Sequence, residues 1–117
     1  MRVYVAGALS SKEVTNRNPS KVVTDYISNV SEMCKQASVI RRAGHFPFVP
    51  ALDFLLGAVN GDWDEDDYRD IGMSFLEVCD AMVVISLSSG VRREAERAND
   101  LEIPVYYGVK NFLEGTK

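Results

Sequence analysis

Glu94 is the residue whose type and placement could do chemistry. Its helix opens near Ser88 and carries an apolar stripe of Val91, Ala95, Ala98 and Leu101, and Glu94 falls on that same stripe, three residues after Val91 and four before Ala98. The carboxylate therefore points inward, while Arg92, Glu96, Asn99 and Asp100 take the solvated side. Just ahead, Ser86, Ser88, Ser89 and Gly90 supply turn residues and an N-cap, so hydroxyls and backbone N–H groups converge where an anion would sit. An inward carboxylate beside such a cradle is the mark of a ligand site. The competing reading is a glutamate that pairs with an arginine or bends out to water.

The elements that must position these groups are legible from their patterning. Ala81 to Ile85 is a nearly continuous apolar run rich in β-branched residues, suited to a parallel strand covered on both faces. Arg2 to Ala6 is a second strand, and Gly7 ends it where the chain turns sharply or something approaches closely, which draws attention to Tyr4. The polar connection from Gly7 to Pro19 is longer than a strand-to-helix loop needs and is expected to border the site. Asn18 and Pro19 form an N-cap and first-turn pair for a long helix whose stripe is Tyr26, Val30, Met33, Ala37 and Ile40, closed by Gly44. His45 to Val49 and Ile103 to Tyr107 are further strands, and Val109 to Leu113 is a terminal helix. Together they predict one α/β domain over residues 1–117, a three-layer Rossmann or flavodoxin-like fold with a parallel sheet of four or five strands.

Two stretches between the second and third strands are less regular. Pro50 to Asp62 is apolar, with Phe54, Leu55 and Leu56 together, and reads equally as a pocket wall completed by Trp63 or as a short helix covering the sheet. Asp62, Asp64 and Asp66 have the opening spacing of a calcium loop, but the glycine position holds Asp67 and the closing glutamate position holds Met73, so the carboxylates are first-turn residues of the helix with stripe Tyr68, Ile71, Phe75 and Val78. Gly72 inside that helix costs about 1 kcal/mol against alanine, which implies close approach of backbone or ligand.

Apolar content of 46%, charged content of 26% and a net charge of −4 describe an ordinary globular chain and argue against a nucleic-acid polymer or an anionic membrane as partner. Cys34 and Cys79 lack paired spacing, and His45 is the single histidine, so neither a disulfide framework nor a metal site is indicated. A reducing cytoplasm is the expected compartment, with no signal-like or membrane-spanning run.

Three motifs carry a resemblance: Tyr4-Val5-Ala6-Gly7, Cys79-Asp80-Ala81, and Ser88-Ser89-Gly90-Val91-Arg92-Arg93-Glu94. In their order and spacing the chain resembles the nucleoside 2-deoxyribosyltransferase superfamily, including the deoxynucleoside 5′-monophosphate N-glycosidases and the CMP N-glycosidases. The resemblance implies that Glu94 is a nucleophile attacking the anomeric carbon of a nucleoside or nucleotide, that Tyr4 positions it, and that Gly7, Ser88, Ser89 and Gly90 bind substrate, Ser88 and Gly90 at a 5′-phosphate. It implies no cofactor. The family's catalytic aspartate on the second helix is replaced here by Gly72. Asp70, two residues away, is the substitute considered for the acid that protonates the departing base, beside the acids of positions 64 to 67, although two residues turn a helix by roughly 200°. The acidic residue that often follows the core strand is also missing, since the chain runs Val84-Ile85-Ser86-Leu87.

A buried carboxylate suits that chemistry, because it can stabilise an oxocarbenium-like state or trap it as a sugar ester. Two other readings stand beside the enzyme: a nucleotide-binding module of the same fold without catalysis, and an interaction protein in which Glu94 pairs with an arginine. A homodimer or larger assembly is expected from the apolar content of Phe54 to Val59 and from the resemblance.

Overall fold

A computed structural model describes residues 1–9 and 19–117. Asn18 and most of the Gly7 to Pro19 connection, whose place beside the site was expected, lie outside the described residues. In chain order the elements are β1 (Arg2–Ala6), α1 (Pro19–Arg42), β2 (Phe46–Phe48), α2 (Asp53–Asn60), α3 (Glu65–Leu76), β3 (Ala81–Val84), α4 (Ser89–Asp100), β4 (Val105–Tyr107) and α5 (Val109–Gly115), with a single 3₁₀ turn at Pro50–Leu52 before α2. The strands form one four-stranded sheet in the order β2-β1-β3-β4, with every pairing parallel. The fold observed is the expected α/β fold with a parallel sheet, of four strands where four or five were expected, and its layers are flavodoxin-like.

Alternation along β1 and β3 divides the interior. Val3, Val5, Ala81 and Val83 face one way, where Ala37 and Ile40 of α1 and Val109 and Phe112 of α5 close over them. Tyr4, Ala6, Met82 and Val84 face the other way, onto Leu76 of α3 and Val91, Ala95 and Ala98 of α4. These strand side chains are essentially fully buried, each worth about 1.5–3 kcal/mol for the larger ones, which is why the two central strands read as unbroken apolar runs.

Helix ends follow the expected chemistry. Asp64 caps α3 in a reciprocal capping box with Asp67, and Glu65, Asp66 and Asp67 fill its first turn, so the acidic cluster is used at the positive end of the helix dipole. Ser88 caps α4, its Oγ accepting from the Val91 N–H at 3.2 Å. Past the end of α1, Gly44 adopts a left-handed φ of 97°, which lets the chain reverse into β2. Within the Pro50 to Asp62 stretch, Pro50, Ala51 and Phe54 wall a pocket without Trp63, and Asp53–Asn60 is a short helix whose Phe54 stacks on Tyr68 of α3. Leu55, Leu56 and Val59 on its outer side are exposed. Among the described residues, no helix is long and apolar enough to cross a membrane.

Candidate active site

The chain leaves β1, crosses to β2 on one side, and returns to β3 on the other, so the strand order reverses between β1 and β3. A crevice opens beyond their C-terminal ends, which is where open α/β sheets bind ligands. The two strand exits are tied together by the Ala8 N–H, which donates to Ser86 Oγ at 2.8 Å. A cavity of about 420 Å³ lies here, large enough for a nucleoside-sized molecule. Its floor is Tyr4, Ala6 and Gly7 from β1 and its exit. One wall is Pro50 and Ala51 of the 3₁₀ turn with Phe54 from the start of α2, another is the inner face of α3, and Gly90, Arg93 and Glu94 of α4 complete it.

Glu94 sits on the inner side of α4, as its place on the stripe required. Its Oε2 accepts a hydrogen bond from the hydroxyl of Tyr4, whose side chain is wholly buried. Burial pushes the Glu94 carboxyl above the ordinary carboxylate range, while the Tyr4 hydrogen bond and the charge of Arg93 pull it partly back. Burial, together with the negative charge of Glu94, drives the Tyr4 phenol well above its usual value, so it stays a proton donor. Among the described residues no lysine or arginine forms a salt bridge with Glu94, and its partner is a neutral hydroxyl rather than an arginine.

The pair is seated against α3 at Gly72. A Cβ at that position would lie 2.8 Å from Tyr4 Oη and 3.9 Å from Glu94 Oε2. The close approach expected at this glycine is therefore that of the Tyr4 hydroxyl.

Of the other residues singled out by sequence, Gly7 and Gly90 line the cavity and Ser88, Ser89 and Asp70 do not. Ser88 has turned its hydroxyl back to its own helix as the cap, and Ser89 is exposed. Asp70 is exposed and opens onto a separate depression with Asp62, Trp63 and Asp67, away from the cavity that Glu94 lines. The cause is helical phase. Residues of α3 that reach the cavity are Glu65, Tyr68, Arg69, Gly72 and Met73, spaced three, four, seven and eight from the first, and position 70 lies off that stripe. Trp63 likewise stays outside and packs on Tyr68, with ring centroids 5.3 Å apart.

Glu65, Arg69 and Arg93 were the charged residues of the cavity that sequence reasoning had not assigned individually. The stripe through Glu65, Arg69 and Gly72 was the available signal. Arg69 is held by Asp66 in a salt bridge, whereas Arg93 has no salt bridge among the described residues. The cavity thus holds two carboxylates, Glu65 and Glu94, and two guanidinium groups, of which Arg93 is the one without a salt bridge among the described residues. No group of three or more His, Cys, Asp and Glu side chains is placed to hold a metal ion among the described residues. Comparison with known proteins gives no match to a family, to a curated protein or to a solved structure.

Proposed function

We propose that this chain cleaves or exchanges the N-glycosidic bond of a nucleoside or nucleoside 5′-monophosphate. The observation that carries the reading is the inward Glu94 carboxylate, fixed by the buried Tyr4 hydroxyl, in a nucleoside-sized cavity at the reversal of the sheet. Tyr4 holds Oε2 and leaves Oε1 for the anomeric carbon. As Oε1 forms its bond to C1′, the C–N bond breaks and its electron pair leaves with the base, which takes a proton from an acid. Glu65 is the acid for that role, since it lines the cavity and Asp70 does not. The glycosyl ester is then opened at C1′ by water, giving hydrolysis, or by a second base, giving transfer; Glu65 takes back the proton of the attacking group and Glu94 is released as a carboxylate.

Placement of the nucleotide follows from the same residues. The apolar wall of Ala51, Phe54 and Met73 suits a base, and Arg93 with the Gly90 backbone at the start of α4 suits a 5′-phosphate. A binding module without catalysis is the second reading, favoured by Gly72, which leaves no carboxylate where the resembling family has its aspartate.

Incubation with a panel of nucleosides and monophosphates, followed by chromatography for free base, separates the two. Under the enzymatic reading, Glu94→Gln keeps the shape and the melting temperature while base release falls by about a hundredfold or more. Base release at the wild-type rate by a folded Glu94→Gln protein removes the nucleophile. Ligand-dependent stabilisation of the native chain without any base release selects the binding module.

A further inference from the structure

Gly72 stands in the middle of α3, buried, where alanine would serve the helix better. The space its side chain would take is occupied by the end of Tyr4, 2.8 Å from an ideal Cβ. That end cannot swing aside freely. The ring is fully buried, is anchored through the central strand β1, and leans on Phe48 with centroids 5.9 Å apart.

We infer that Gly72 is a positioning residue: its bare Cα is the slot that lets the Tyr4 hydroxyl lie against α3 and point its proton at Oε2 of Glu94. The helix gives up a side chain so that the pair can form. A methyl at position 72 would meet Tyr4 Oη inside van der Waals contact, and the hydroxyl can yield only by leaving its line to the carboxylate. The inference rests on the proposed nucleophilic role of Glu94 for its consequence in turnover, but not for its geometry. Position 72 acts through Tyr4 and touches no reacting atom.

Four proteins test it: Gly72→Ala, Tyr4→Phe, the double variant and the wild type. The charged and titratable groups around the pair are Arg93 from α4 and Glu65, Tyr68 and Arg69 from α3, with Asp53 of α2 and Cys79 acting on Tyr4. All of them are kept in Gly72→Ala, so a change in the titration of Glu94 reports on the hydrogen bond. Titration is followed by NMR of a ¹³C-labelled glutamate side chain, assigned with Glu94→Gln.

The expected result is an upward shift of the Glu94 titration in Gly72→Ala, similar to that in Tyr4→Phe, with little further shift in the double variant. The melting temperature should fall in Gly72→Ala and rise when the same alanine is added to Tyr4→Phe, because the phenylalanine ring lacks the oxygen that collides and the helix propensity of alanine is then unmasked. This reversal of sign holds even where Gly72→Ala alone folds poorly. An unchanged Glu94 titration in folded Gly72→Ala, or a melting temperature that moves the same way in both backgrounds, overturns the inference. If the titration shifts as expected but no variant, wild type included, releases base, the positioning stands and the glycosidase reading fails instead. Where base is released, kcat in Gly72→Ala should fall about tenfold or more with KM little changed.

Discussion

The two faces of the sheet are made by the same two strands and do different work. On the face covered by α1 and α5 the buried contacts are Val3, Val5, Ile40, Val83 and Phe112, and they are wholly apolar. On the face covered by α3 and α4 the same kind of packing surrounds a hydrogen-bonded tyrosine and carboxylate. A shift of one residue along β1, from Val3 to Tyr4, moves from pure core to candidate chemistry. Burial on the first face only stabilises, whereas on the second it also sets how readily Glu94 gives up its proton.

The comparison breaks most visibly at Phe112, which is fully buried under the apolar face. Phe112→Ala should cost about 3–5 kcal/mol of stability, measured by urea unfolding, while the protein that remains folded binds ligand with unchanged affinity. A loss of affinity there would mean the two faces are not separable. A smaller effect is expected at Ser88, the cap of α4. Ser88→Ala should lower stability by about 1 kcal/mol and leave the ratio of monophosphate to nucleoside affinity unaltered, because Ser88 caps α4 and does not line the cavity. A selective weakening of monophosphates would return Ser88 to the phosphate site.

The subtlest contrast is in the slope of stability with pH. Glu94 holds its proton more tightly folded than unfolded, so its contribution is fully present below the ordinary carboxylate pKa and is lost as pH rises through its raised value. Asp53, also raised by burial, adds in the same sense in every variant, so the difference between wild type and Glu94→Gln isolates Glu94. Unfolding midpoints taken from pH 4 upward should decline more steeply in wild type than in Glu94→Gln across that window. Parallel curves would show that the second face exerts no hold on the carboxylate.

Glu94 could be found from sequence because a charge on an apolar stripe violates helical periodicity. Tyr4 and Gly72 were each noticed, one beside a strand end and one as a costly glycine, but their contact joins segments far apart in the chain and no local pattern connects them. Glu65 was hidden by plausibility. Acidic residues in a first turn already have a reason to be there, and only docking of α3 shows that part of that turn also faces the cavity. Asp70 lies two residues from Gly72, and the roughly 200° that separates them on the helix sends it to the depression with Asp62 and Asp67.

One consequence concerns the sheet's outer margins. Phe46 sends its N–H inward to the Met1 carbonyl, so the next position along β2, Pro47, aligns its ring nitrogen with the open side of the strand. That nitrogen carries no hydrogen to offer. At the opposite margin Pro104 leads into β4, and its carbonyl is already spent on the Met82 N–H. A stray strand arriving at the β2 side finds a gap in the row of donors that a growing sheet would need. A domain with four short parallel strands and apolar centres is thereby protected at that edge against stacking on through its backbone into fibrils.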